Sequence, residues 1–92
     1  MRVYLSVQAQ GQLTSLLDYL EQHWPLKVRD NFVAKLEASF AVIGSYPESF
    51  PASQKMPGVR RCVVTPQTVL YYRTSQQAIE VIALIDARQD AG

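Results

Sequence analysis

The residues with most chemical capacity fall in three short groups: Arg60-Arg61, Tyr71-Tyr72-Arg73, and Asp86 with Arg88. Guanidinium groups recognise carboxylate and phosphate oxygens through fixed forks, so the chemistry on offer is anion binding and stabilisation of charge developing on a phosphate. If Pro66-Gln67 forms a two-residue hairpin turn, Arg60 stands opposite Arg73 and Arg61 opposite Tyr72. Two arginines on one sheet face repel unless they are solvated, matched by a carboxylate or waiting for an anion. A turn around Ser75-Gln76-Gln77 would pair Glu80 with Arg73 and supply that carboxylate. The pair therefore reads either as structure, satisfied by Glu80 or by a partner's carboxylates, or as a phosphate site. Arg61, on the other face, reads as a side chain lying along the core edge.

Proton transfer is less well served. Asp86 is a candidate base, but arginines nearby lower a carboxylate's pKa and weaken it in that role. Tyr71 and Tyr72 are surfaces on which a nucleobase could stack, or aromatics packed in a strand. His23, the only histidine, falls at the end of a predicted helix, where it meets the last carbonyls. The single cysteine, Cys62, has no partner for a disulfide and no Cys or His cluster around it, which excludes zinc chemistry; no cofactor is implied.

The elements that must position these groups follow from periodicity. Val3, Leu5 and Val7 alternate with Arg2, Tyr4 and Ser6, a strand with one buried face. Ser6 is a suitable N-cap for a helix whose apolar stripe is Leu13, Leu16, Leu17, Leu20 and Trp24, stopped by Pro25. A second helix carries Val28, Phe32, Leu36, Phe40 and Ile43 and ends at Gly44 and Pro47. Three prolines then forbid regular structure between Pro47 and Gly58. Strands follow at Val59–Thr65, Thr68–Thr74 and Ala78–Asp86, the last apolar on nearly both faces and hence central. The expected fold is α+β, one domain over residues 1–92: an N-terminal strand, a helical hairpin, then a three-stranded antiparallel meander in one curved, antiparallel sheet.

Bulk composition bounds the partners. With 92 residues, 48% hydrophobic and 18% charged, the chain is an ordinary globular domain of a size that gains from a partner covering its surface. A net charge of +1 gives no strong pull towards nucleic acid or a membrane. The stretch Met1–Val7 is too short for a signal peptide and no apolar run spans a bilayer, so a soluble, cytoplasmic protein is expected.

On Tyr46-Pro47-Glu48-Ser49-Phe50-Pro51, Gly58-Val59-Arg60-Arg61-Cys62-Val63-Val64, Tyr71-Tyr72-Arg73 and Asp86-Ala87-Arg88-Gln89-Asp90, taken in order, the chain resembles the RelE/ParE superfamily of toxins. That resemblance implies a toxin of a type II toxin-antitoxin module, active in growth arrest and stress response and oligomeric with its cognate antitoxin. The antitoxin is expected to cover an apolar groove at the helical hairpin and a sheet edge. It also implies one of two targets. RelE-like members cleave messenger RNA in the ribosome, and ParE-like members inhibit DNA gyrase; a third possibility is a member that binds an antitoxin and poisons nothing.

Metal-free RNA cleavage needs a base, a donor to the leaving oxygen and cations. Arg60, Arg73 and Arg88 would be the cations, with Asp86 or a tyrosine assisting. Arg88 lies where RelE-like toxins carry a functional side chain, with a tail paired to Asp86 or Asp90 as the plainer reading. Lys55 lies in a region where ribosome-dependent members place lysines. RelE-like nucleases use a histidine or tyrosine at the end of the last strand, whereas this chain has Asp86, with Gln89 soon after. The near-neutral charge also suits a protein interface better than a ribosomal RNA surface, which favours the gyrase reading.

Overall fold

Ser6 converts strand into helix. In the computed structural model, which describes residues 1–89, its backbone is extended and its hydroxyl oxygen accepts from the Ala9 amide at 3.0 Å. Strand β1 (Arg2–Leu5) ends before it and helix α1 (Val7–His23) begins after it. Val7 is therefore not the third inward residue of a strand but the first of a helix, and it is 89% exposed. Pro25 breaks the chain as expected, and α2 (Leu26–Ser45) follows at once. Arg29 pairs with Glu21 across the corner at 3.1 Å. Phe32, Leu36 and Ile43 of α2 are buried, and Leu13, Leu16, Leu17 and Leu20 of α1 pack against the same core.

Gly44 does not end α2, which runs on to Ser45. Its hydrogen serves a close approach instead. A Cβ there would lie 3.0 Å from the Met1 carbonyl oxygen, and the Met1 amino group donates to the Gly44 carbonyl at 2.8 Å.

Strands β2 (Arg60–Thr65), β3 (Thr68–Ser75) and β4 (Ala78–Asp86) complete a sheet of order β1-β4-β3-β2. The meander is antiparallel, but β1 lies beside β4 and parallel to it. The sheet is therefore mixed and not antiparallel throughout: the two helices return the chain to the side it started from, and β1 takes the free flank of the apolar β4. β4 is central, as its composition required. The turn before it carries Gln76 and Gln77 at φ 50° and 65°, the left-handed pair of a tight hairpin.

The helices cover one sheet face, where Cys62, Leu70, Tyr72, Ile79 and Val81 are buried. A smaller cluster of Val59, Val69 and Tyr71, with Met56, Ile82, Ile85 and Ala87 around it, closes the other face. The proline segment is tied to the outer edge of β2: Ser53 donates to Val59, and Arg61 donates its amide to Pro51.

Candidate functional site

A β-bulge decides which arginines meet. Thr65 pairs with Thr68, but Val63 pairs with Val69, so Val64 is an extra residue in β2. The slip places Arg60 opposite Tyr72 and Arg61 opposite Tyr71. The expected Arg60–Arg73 pair is thus overturned. Because side chains alternate, a one-residue slip also moves a residue to the other face, and Arg60 and Arg73 point to opposite sides of the sheet.

Arg60, on the helix side, donates from Nη1 to the carbonyls of Phe50 at 2.7 Å and Glu48 at 3.3 Å. Tyr72 beside it is fully buried, stacks edge-on against Phe50 with centroids 6.2 Å apart, and donates its hydroxyl to the Pro47 carbonyl at 2.6 Å. Burial pushes its phenol up, with the Arg60 charge opposing. Together these two side chains clamp the start of the proline segment. Arg73 meets Glu80 directly across the strands, with Nε and Nη2 each 2.9 Å from Oε1. Tyr71 is buried in the smaller cluster, and Lys55 sits in the loop, its amide donating to Ser53 Oγ. Burial raises the Cys62 thiol, against a hydrogen bond with Ser39. Among the described residues no group of three or more His, Cys, Asp or Glu is placed to hold a metal.

Asp86 and Arg88 form a fork of their own at the other end of the sheet. Arg88 Nε reaches Oδ1 at 3.1 Å and Nη2 reaches Oδ2 at 2.9 Å, while the Arg88 amide also donates to Oδ1 at 2.8 Å. These bonds hold the Asp86 carboxyl down at about 2, the side-chain bond first and the amide bond second. Asp86 pairs with Thr68 and Arg60 with Tyr72, so the two sites are separated by four residues of β3, roughly 13 Å. The four charged candidates do not converge on one point. Gln89 closes the short 3-10 turn Ala87–Gln89, and Asp90 lies outside the described residues.

The fork gives a direct test. Followed by carboxyl NMR shifts, Asp86 is expected to titrate near 2, and Arg88→Gln should return it towards the ordinary 3.8. Since the folded value is depressed, the fork's contribution is complete above the unfolded carboxylate's pKa and is lost as pH falls through about 2.

The Asp86–Arg88 fork stands on the wall of a groove of about 1140 Å³ between the helical hairpin and the β2–β3 turn. Leu16, Leu20, Phe32 and Leu84 line it, with Tyr19 and Trp24, each 53% exposed, on the hairpin side and Lys35 on the rim. Gln12, also in the lining, turns its Oε1 to accept from the Leu84 amide at 2.8 Å. Neither Gln12 nor the groove's aromatic side was singled out from the sequence. The only sign was that Trp24, on the apolar stripe, lies just before Pro25, where the helix ends.

Comparison with known proteins agrees with this architecture. No curated protein sequence matches the chain. Among solved structures it is similar to a chromosomal ParDE toxin-antitoxin system from P. aeruginosa, with a TM-score of 0.79 at 12% identity over 94% of this chain and 95% of that one. It is also similar to a YoeB/ParE toxin from Agrobacterium tumefaciens (TM-score 0.66, 16% identity, 94% and 98% covered) and to the E. coli DinJ-YafQ complex (0.64, 16%, 100% of both chains). At such identity these likenesses speak for the fold. The model of the ParE toxin of the type II toxin-antitoxin system parDE matches residues 3–91, nearly the whole chain, and the protein belongs to that toxin family.

Proposed function

We propose that this ParE-family toxin arrests growth by binding DNA gyrase in the cytoplasm, is held inactive by a cognate antitoxin, and cuts no RNA. The observation that carries the reading is Asp86. It occupies the end of β4, where RelE-like nucleases carry a histidine or tyrosine, and its carboxylate is engaged on both oxygens by Arg88 and held at about 2. Such a group is a poor proton acceptor at neutral pH. Tyr72 is no substitute, with its hydroxyl committed to Pro47 and its ring fully buried. Arg60 and Arg73 are likewise engaged, by loop carbonyls and by Glu80. A protein interface asks for none of these groups to transfer a proton; it asks for apolar anchors with a polar rim, which the groove and its exposed Tyr19 and Trp24 provide. No helix among the described residues is long and apolar enough to cross a membrane.

The test is induction of the chain alone, with plasmid supercoiling and message integrity followed together. Negative supercoiling is expected to fall while messages stay intact, and purified gyrase should be inhibited. Codon-linked cuts in translated messages, lost in Arg88→Ala, would establish the RelE-like alternative. Normal growth on overexpression would mark a member that only binds its antitoxin.

A further inference from the structure

The sheet has two edges, and they are protected differently. At β1, Arg2 lies over the Tyr4 ring, 5.6 Å from its centroid, and a charge on so short a strand discourages further pairing. At β2 the proline segment shields one half only. Its backbone bonds reach Val59 and Arg61 and stop there, and among the described residues no strand lies beyond residues 62–65. Because the Arg61 amide points outward to Pro51, alternation points the backbone groups of Val63 outward as well. Val64, the bulge residue, has no partner on β3. This half of the edge has backbone groups to offer and no charge to repel a strand.

The side chains around it are apolar near the middle and charged at the ends. Val63 is 54% exposed, and Val42 of α2, 44% exposed, lines a shallow groove of about 410 Å³ along this edge with Val64 and Phe50. Lys35 stands where β2 runs into its turn, beside Thr65 and Pro66. Glu48 stands at the other end, where β2 begins, its carbonyl accepting from Arg60. An antiparallel two-fold places the start of one β2 beside the end of the other, and so brings Lys35 of each copy to Glu48 of its mate. A second copy thus matches the polarity of this edge by symmetry alone.

We propose that two copies of this chain pair antiparallel along the free half of β2, about a two-fold axis at Val63 and Val64, joining their sheets into one. Uncharged residues lie at the axis and opposite charges flank it, the arrangement that cross-strand pairing favours. The free chain is a weak dimer, with a Kd on the order of 10–100 µM for so small a contact. Neither gyrase nor an antitoxin enters this pairing, so it stands or falls apart from the function proposed above.

Sedimentation equilibrium of the purified full chain, free of any partner, measures it. The mass should rise from 10.4 kDa towards twice that value between about 1 and about 300 µM. Amide exchange at the two concentrations should show Val63 and Val64 gaining protection while β1 does not. Val63→Lys sets like charges at the axis and should leave the chain folded by circular dichroism but monomeric throughout. Lys35→Glu and Glu48→Lys should each weaken association by about 5-fold or more, and the two together should restore it to within about 2-fold. Loss of folding cannot imitate that restoration. A chain still monomeric at about 300 µM, a dimer that survives Val63→Lys, or a double variant no better than the single ones overturns the inference. Protection of Val63 that appears only in complex with an antitoxin assigns the edge to that partner and overturns it too.

Discussion

Tyr72→Ala is expected to lower the unfolding free energy of the free toxin by about 3–5 kcal/mol, measured by urea titration. The ring is fully buried against Phe50, and its hydroxyl holds the Pro47 carbonyl at 2.6 Å, so truncation leaves both a cavity and an unpaired acceptor. Tyr72→Phe keeps the packing and should lose only about 1–2 kcal/mol, chiefly as faster amide exchange in the proline segment. A tyrosine that served to stack on a nucleobase would behave the other way, losing activity on truncation while stability held.

Leu70→Ala should cost about 2–5 kcal/mol and lower the melting temperature by roughly 10 °C or more. Leu70 is 0% exposed, sits on β3 between Cys62 of β2 and Leu84 of β4, and faces the helices. Against the roughly 5–15 kcal/mol that holds a typical domain folded, this loss is large. Val63→Ala is the control on the neighbouring strand. Its side chain is 54% exposed, and the change should stay within about 0.5 kcal/mol. Differential scanning calorimetry of the three proteins checks both expectations.

How legible the molecule was depends on how local each feature is. The Ser6 cap, the Pro25 break, the central β4 and the Arg73–Glu80 pair all follow from residue type and spacing within a few positions, and all are present. The Val64 bulge was not legible, because β-branched residues suit a bulged strand and a regular one alike and the choice is made by how the sheet twists under the helices. One unseen residue was enough to separate Arg60 from Arg73 and to turn an apparent anion site into a loop clamp. Gly44 was misread for a related reason. A glycine near a helix end looks like a terminator, and only the tertiary approach of Met1 shows its other use. The Asp86–Arg88 fork needed only the two-residue spacing to be foreseen, whereas Gln12 reaching Leu84 spans 72 positions and leaves no local mark.

The parallel pairing of β1 with β4 has a consequence for how the molecule is made. Ser6 meets Ile82 across 76 positions, so β1 waits for β4, which is translated long after it. Until β4 has left the ribosome, β1 and β3 have nothing between them, and Ile79, Val81 and Leu84 are missing from the core. Contacts so distant in sequence form late and slowly. A chain cut short before β4 therefore lacks an interior strand of its sheet, and the interval before the sheet closes is one in which a partner already present can meet the chain as it forms.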